Sequence, residues 1–371
     1  MTGNASNKDA SQGLCGTGVA PVRIQGFGMH SKSVLAAVCG LMLVCATGCP
    51  VVDNRAAPGR ELHQRDPERN SRYHLYVPST YKTSGETRRW PLVVACHGTP
   101  PWDTAGAQLD EWKGLAEEKG FLLVAPELVG TRGDFLPPPA EQIERQMEDE
   151  RSILAIVRSL RAAWSIDDTR VFLTGWSAGG YAVLFTGLRH PDVFRALCVR
   201  QGNFDAAFVE PCVPFLDRFQ PVLVMYGQED LLKDQALGCI DWLRNHGLDP
   251  TVLGRPGIHR RDPEPVFSFF ARVVRSQPWI RVVIEDDPRD PMHVRLAART
   301  SFEPARFLWD FGDGEPRSPL ASPHHRYGKP GFYDVRLAVW PSSGGPYVRL
   351  VRLQMPRMRL GVTATATAPA K

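Results

Sequence analysis

The amino-acid sequence predicts an α/β segment with a mostly parallel sheet flanked by helices, followed by a small all-β sandwich. Between residues 71 and 278, short apolar runs typical of buried strands alternate with segments of helical periodicity. Beyond residue 278 the apolar runs are short, Pro and Gly separate them, and no convincing helix follows. These two patterns define the predicted fold class.

The elements of both segments follow from the spacing of apolar residues. In the first segment, strands are predicted at 72–77, 91–96, 121–125, 171–174, 196–199, 222–226 and 251–254, and helices at 107–119, 141–164, 178–189, 231–246 and 263–275. In the second, strands are predicted at 280–285, 292–298, 305–310, 332–339 and 347–354. Because strands and helices alternate in the first segment, its helices should cover both faces of the sheet.

The composition excludes several classes of protein. Of 371 residues, 43% are apolar, which is enough for a core and argues against a disordered chain. The net charge of +4 is small and no dense Lys/Arg stripe occurs, so no nucleic-acid partner is predicted. Neither a CxxC pair nor a Cys/His cluster has zinc spacing, so no metal is predicted.

The first 49 residues are predicted to be a disordered N-terminus and a signal peptide. Lys32 precedes an apolar run at 34–45 that is too short to span a bilayer. Ala-Thr-Gly before Cys49 then resembles the lipobox of bacterial lipoproteins, in which Cys49 would be lipidated after cleavage. The alternative is a plain secretory signal with a chance cysteine. Both predict export.

Two segments outside the predicted domains are short and irregular. Residues 50–70 are charged, contain Pro and are predicted to be a linker, and residues 357–371 are predicted to be a frayed tail.

Export also bears on the cysteines. An oxidising compartment permits disulfides, and Cys212 with Cys239 is one candidate pair.

Gly175-Trp176-Ser177-Ala178-Gly179 follows a predicted buried strand and opens a predicted helix. This strand–turn–helix context is the one that a G-x-S-x-G nucleophile elbow requires. Side chains at the two glycines would collide with neighbouring backbone, and the helix N-terminus would present N–H groups to a developing oxyanion. We therefore predict that Ser177 is a nucleophile.

A serine nucleophile needs a base, and the base needs an orienting carboxylate. His259 lies in a loop between a predicted strand and the last predicted helix, and is the predicted base. Asp230 ends the segment Tyr226–Asp230 that follows the buried strand at 222–226, at the sheet edge where open α/β proteins carry their chemistry. It is preferred as the acid over Asp205, which follows the preceding strand.

Two backbone N–H groups are predicted to form an oxyanion hole. One belongs to Ala178, directly after the nucleophile, and the other lies in the loop after the second predicted strand. In that loop Pro100 and its successor have no N–H to donate. Thr99 is therefore the predicted second donor, with Gly98 as the alternative, and His97 is expected to brace the loop.

On these motifs, residues 70–278 resemble the esterase D and poly(3-hydroxybutyrate) depolymerase-like branch of the α/β-hydrolase fold. The resemblance implies a secreted carboxylesterase, and related members cleave feruloyl, acetyl or hydroxyalkanoate esters. Trp176 stands where that branch commonly has a smaller aliphatic residue. The segments that carry the resemblance are Tyr73–Pro78, His97-Gly98, Trp112–Ala116, Gly120–Pro126 and the Ser177 elbow.

The second segment is similar to PKD-type (polycystic kidney disease) β-sandwich domains. Trp309–Gly314 has the sequence Trp-Asp-Phe-Gly-Asp-Gly, and His325-Arg326-Tyr327 and Gly331–Val335 follow it. The similarity covers about residues 279–356 and implies a spacer or a polymer-binding module.

The sequence thus predicts an exported serine esterase that uses Ser177, His259 and Asp230, with no cofactor and with contact to a membrane only through the lipid anchor. Its predicted partner is an ester substrate, which includes polymeric esters. Two alternatives remain open. One is a serine peptidase of the prolyl oligopeptidase type, and the other is a surface-binding lipoprotein that uses the PKD-like module and has no catalytic activity.

Overall fold

The computed structural model describes residues 59–81, 87–132 and 138–356. The predicted signal peptide with Cys49 and the predicted tail at 357–371 lie outside the described residues. Across the described part of the chain, no helix has both the length and the apolar character that crossing a bilayer requires.

An eight-stranded sheet forms the centre of the first domain in the described residues. Its strand order is β1-β2-β4-β3-β5-β6-β7-β8, in which β1, β2 and β4 pair antiparallel and the pairs from β4 to β8 are parallel. The strands are β1 (Arg60–Arg65), β2 (Arg72–Val77), β3 (Trp90–Cys96), β4 (Leu122–Pro126), β5 (Ile166–Trp176), β6 (Ala196–Arg200), β7 (Val222–Gly227) and β8 (Thr251–Arg255).

Helices cover both faces of this sheet, because each face is apolar and must be buried. Buried residues of α2, α3 and α5 form one core with one face of the sheet, and those of α1 and α6 form a second core with the other face. The helices are α1 (Ala105–Lys119), α2 (Pro139–Ala163), α3 (Gly179–Arg189), α4 (Ala206–Val209), α5 (Lys233–Asn245) and α6 (Glu264–Ser276), and a 3₁₀ helix (Glu210–Phe215) follows α4.

The segment 50–70, predicted to be a linker, instead contributes the edge strand β1. Its side chains are charged and largely exposed, as expected at a sheet edge, so the strand lacks the apolar pattern from which strands are predicted. The chain then turns at Asp66, whose buried carboxylate accepts backbone N–H groups from Glu68, Arg69 and Ser71.

The second domain is a β-sandwich of two three-stranded antiparallel sheets in the described residues, with orders β12-β10-β9 and β11-β13-β14. Trp309 and Tyr327 are fully buried between the sheets, and the Trp309 indole N–H donates to the Leu320 carbonyl at 2.9 Å. The strands are β9 (Ile280–Asp286), β10 (His293–Thr300), β11 (Pro304–Asp310), β12 (His324–Arg326), β13 (Gly331–Pro341) and β14 (Tyr347–Met355).

The pairing of Cys212 with Cys239 is not formed, because all four cysteines of the described residues are free and buried. Cys212 lies in the 3₁₀ helix with its Sγ 3.7 Å from the Phe185 carbonyl oxygen of α3, whereas Cys239 belongs to α5. Each thiol thus packs as a small apolar group within the core.

Candidate active site

Ser177 occupies a sharp turn between β5 and α3. Its φ of 53° is in the left-handed region, and its N–H donates to the Arg200 carbonyl at 3.1 Å. A Cβ atom at Gly175 would lie 2.4 Å from the Gly179 carbonyl oxygen, and one at Gly179 would lie 2.5 Å from that of Cys96. Both positions therefore require glycine, as the elbow motif implies.

A carboxylate and an imidazole meet beside this turn. Asp230 Oδ2 lies 2.8 Å from His259 Nδ1, and the second oxygen of Asp230 accepts the Leu232 N–H at 2.9 Å. The Asp230 side chain is 1% exposed and that of His259 is 28% exposed, so the acid is enclosed while the imidazole reaches solvent. Asp205, the alternative acid, instead caps α4 by accepting the Ala207 N–H at 2.9 Å.

His259 lies next to the elbow without a hydrogen bond to the Ser177 hydroxyl among the described residues. The link between the two is the Trp176 side chain, whose ring centroid is 4.5 Å from that of the His259 imidazole. Contacts between a nucleophile and its base are commonly long in the absence of substrate and shorten when substrate binds. Proton transfer from Ser177 to His259 Nε2 therefore stays a prediction.

The loop that carries His259 is fixed from two strand ends. The Gly257 N–H donates to the Glu229 carboxylate, the Glu229 N–H donates to the Gly257 carbonyl at 3.2 Å, and Gln201 Nε2 donates to the Ile258 carbonyl at 3.3 Å. A Cβ at Gly227 would lie 2.3 Å from the Gly257 carbonyl oxygen, so the loop packs directly on the end of β7. Neither Gln201 nor Glu229 belongs to a motif, so these supporting roles leave no signal in the sequence.

The loop after β3 packs against the elbow. A Cβ atom at Gly98 would lie 3.0 Å from the Trp176 ring and 3.1 Å from the Ser177 Cβ. The Gly98 N–H donates to Asp103 Oδ2 at 2.6 Å, so this N–H is already engaged. Of the two donors considered for this loop, Thr99 is therefore favoured.

Two further features complete the predicted oxyanion region. Ala178 directly precedes α3, which places its N–H at a helix N-terminus, where backbone donors and the helix dipole favour a negative charge. His97 is buried and braces its own loop, as predicted: Nδ1 donates to the Gly98 carbonyl at 2.7 Å and Nε2 accepts the Leu128 N–H at 3.0 Å. Burial lowers the pKa of His97, which favours this neutral form.

Three large apolar side chains are exposed on the loops that carry these residues. Trp102 is 76% exposed on the loop after β3, Leu231 follows Asp230 and is 98% exposed, and Ile258 precedes His259 and is 63% exposed. Single exposed apolar residues are common, but these three adjoin the same candidate site. We refer to Trp102, Leu231 and Ile258 as the apolar rim.

Across the described ranges, no group of three or more His, Cys, Asp or Glu side chains is arranged to hold a metal ion. The arrangement of serine, imidazole, carboxylate and backbone N–H groups is suited to acyl transfer.

Two protein families match this chain, one in each of the two domains described above. Residues 115–210 match the prolyl oligopeptidase family, and residues 276–351 match the PKD domain. The first match contains the Ser177 elbow, and the second covers most of the β-sandwich. The chain thus combines a domain of the α/β-hydrolase fold with a PKD domain.

Individual relatives share part of their length with this chain. Poly(3-hydroxyalkanoate) depolymerase C of Paucimonas lemoignei is 32% identical over 117 residues, which is 30% of this chain and 27% of that protein. Feruloyl esterase B of Neurospora crassa is 28% identical over 144 residues, or 38% of this chain and 46% of the relative. The chain therefore spans about half or less of these relatives.

Among solved structures, the chain is similar to S-formylglutathione hydrolase of Staphylococcus aureus, with a TM-score of 0.45 and 14% identity. The superposition covers 58% of this chain and 94% of the hydrolase chain.

Proposed function

We propose that this protein is a serine carboxylesterase. The observation that carries the proposal is the 2.8 Å contact between Asp230 and His259 beside the strained Ser177 elbow. The relatives named above, a poly(3-hydroxyalkanoate) depolymerase and a feruloyl esterase, support an ester substrate.

The reaction begins when Ser177 attacks the ester carbonyl carbon and His259 Nε2 accepts its proton. Asp230 orients the imidazole through Nδ1 and stabilises its charged form. The N–H groups of Ala178 and Thr99 hold the tetrahedral oxyanion, and His259 then donates the proton to the leaving alcohol. Water, activated by His259, attacks the acyl-enzyme and releases the acid and free Ser177.

The apolar rim supports hydrophobic esters, including polymer-linked ones, as substrates. A soluble polar ester gains little from exposed Trp102, Leu231 and Ile258, whereas an apolar acyl chain or polymer surface covers them and excludes water. Hydroxyalkanoate and feruloyl esters fit this description better than acetyl esters do.

The proposal is tested by hydrolysis of short-chain p-nitrophenyl esters. We expect Ser177→Ala to lower kcat/KM by about 10⁴-fold or more, since the nucleophile and its base act as one unit. Ser276→Ala, at the exposed end of α6, is the matched control and should leave the rate unchanged. Equal rates for the parent and Ser177→Ala would overturn the proposal.

The match to the prolyl oligopeptidase family favours one second candidate, a serine peptidase with the same residues. Peptide p-nitroanilides assayed beside the esters separate the two. Peptide cleavage that exceeds ester cleavage and is lost in Ser177→Ala would replace the esterase by the peptidase.

We also propose that the protein is exported and lipid-anchored at Cys49, on the strength of the lipobox-like sequence alone. Expression in a bacterial host with labelled palmitate should label the parent and not Cys49→Ser. Absence of label on an exported parent would favour the plain secretory signal.

A further inference from the structure

A buried carboxylate joins the loop after β3 to the loop that carries His259. Asp103 is fully buried, and its Oδ2 accepts both the Gly98 N–H at 2.6 Å and Gln108 Nε2 at 2.9 Å. Its Oδ1 lies 3.0 Å from Arg261 Nη2. A buried carboxylate is costly unless a cation compensates it, so this ion pair holds the two loops together.

Arg261 makes two further contacts in the same region. It donates from Nη2 to the Trp102 carbonyl at 2.8 Å, which ties it a second time to the loop after β3. Its guanidinium carbon lies 4.6 Å from the ring centroid of Trp176, a cation–π distance. Arg261 thus contacts both the loop with the predicted oxyanion donor and the residue that precedes Ser177.

The Trp176 ring is the group against which the Arg261 guanidinium packs. The ring also packs on His259 and approaches Gly98 closely, so it spaces the base from the predicted oxyanion loop. Its Nε1 is buried and has no hydrogen-bond partner among the described residues, so ring contacts rather than hydrogen bonds fix its orientation. The cation above the ring is one of those contacts.

We propose that Arg261 is a positioning residue that sets the distance between the oxyanion donor and the base by clamping Asp103 and Trp176. The inference rests on the proposed esterase function. The clamp acts on the transition state, because a shift of the Thr99 N–H relative to Ser177 weakens the contact to the oxyanion more than the binding of substrate.

The neighbouring arginine provides a matched control. Arg260 is exposed and forms no ion pair among the described residues, although it stands between His259 and Arg261 in the chain. Arg260→Ala removes the same charge and a similar side chain from the same loop without touching Asp103. Any effect specific to Arg261 must then come from the clamp.

The experiment compares kinetics and transition-state analogue affinity in the full chain. For Arg261→Ala we expect kcat to fall roughly 10- to 100-fold with KM changed less than about threefold, as for a misplacement of about 1 Å. The affinity for a trifluoromethyl ketone, which forms an oxyanion on Ser177, should fall by the same factor as kcat/KM. Arg261→Lys should recover part of the loss, since an ammonium pairs with Asp103 but has no planar face for Trp176.

A double-mutant cycle with Asp103→Asn tests the link itself. Asparagine retains an oxygen for the Gly98 N–H but loses the charge that Arg261 compensates. If the two residues act through one contact, the activity of the double variant should be no lower than that of the less active single variant. Additive losses, an Arg261→Ala rate equal to that of Arg260→Ala, or a lower melting temperature with unchanged kcat would each overturn the clamp.

Failure of the clamp is distinguishable from failure of the esterase proposal. If the parent is no more active than Ser177→Ala, the esterase proposal fails, and the rates of fluorophosphonate labelling of the parent and Arg261→Ala still test the clamp. Labelling that is slower in Arg261→Ala than in Arg260→Ala supports it, and equal labelling overturns it.

Discussion

The Ser177 backbone is held at a φ of 53°, a conformation that costs energy for any residue with a Cβ. The surrounding backbone imposes it: Gly175 and Gly179 allow β5, α3 and the end of β3 to approach within distances that no side chain could share. The strained turn places Ser177 at the end of β5, next to the Trp176 side chain that packs on His259. The conformation of the proposed nucleophile therefore depends on glycine at both positions.

Gly179→Ala should therefore damage the site more than its one added methyl group suggests. The new Cβ would lie 2.5 Å from the Cys96 carbonyl oxygen and 2.8 Å from that of His97, both rigid backbone atoms. We expect a loss of about 1–3 kcal/mol in unfolding free energy together with loss of fluorophosphonate labelling at Ser177. Gly114→Ala, where a Cβ meets nothing within 4 Å inside α1, is the control and should be neutral or stabilising. A Gly179→Ala protein as stable as this control would contradict the steric argument.

His97 predicts a pH dependence of stability. Burial lowers its pKa below that of the unfolded chain, so this residue contributes stability at neutral pH that is lost as pH falls below about 6.5. Protonation would also turn Nε2 from the acceptor of the Leu128 N–H into a donor. In urea titrations at pH 7.5 and 5.5, His97→Gln should lose less stability on acidification than the parent. His324→Gln, at an exposed position, should behave as the parent does, and identical pH dependences in all three would disprove the contribution.

At the scale of elements, prediction succeeds where burial leaves a pattern in the sequence. The buried strands and the amphipathic helices α1, α2, α5 and α6 lie where periodicity places them. Strand β1 was not predicted because its edge position keeps it polar, and α4 was not predicted because it has a single turn. The Asp103–Arg261 link joins residues far apart in the chain, and no local pattern records such a pair. Motif spacing could indicate Ser177, Asp230 and His259 but not the contacts that support them.

The loops after β6 and β7 each contain an aspartate, Asp205 and Asp230, and the two carboxylates should give opposite results when they are altered. Asp205→Ala removes the cap of α4 and should cost about 1 kcal/mol of stability with esterase activity retained. Asp230→Ala removes the partner of His259 Nδ1, and activity should fall about 10⁴-fold. Activity assays and thermal melts on the two variants check both results. A greater loss of activity in Asp205→Ala than in Asp230→Ala would reverse the assignment of the acid.

At the scale of the whole molecule, the two domains share a buried contact centred on Arg281. This residue lies in β9 of the sandwich, and its Nε donates to the Pro191 carbonyl at 2.7 Å and lies 3.3 Å from Asp217 Oδ2, both in the α/β domain. Both side chains are almost completely buried. A cavity of about 420 Å³ lies beside the contact and is lined by residues of both domains, among them Phe215 and Val351. A sandwich anchored in this way is suited to hold a fixed place relative to the α/β domain.

Arg281→Met tests whether this contact makes the two domains unfold together. Methionine fills similar space but leaves the Asp217 carboxylate buried without its cation, which should cost about 3–5 kcal/mol. When urea unfolding is monitored by Trp fluorescence, we expect a single transition in the parent and two transitions in the variant. Hydrolysis of a soluble ester should be unchanged below the first transition, because Arg281 touches none of the candidate site residues.

Arg295→Met, which removes an exposed arginine from β10, should keep the single transition and lose about 0.5 kcal/mol or less. Two transitions in the parent itself would mean that the sandwich is tethered rather than anchored, and an activity loss in Arg281→Met alone would mean that the sandwich acts on the site through this contact.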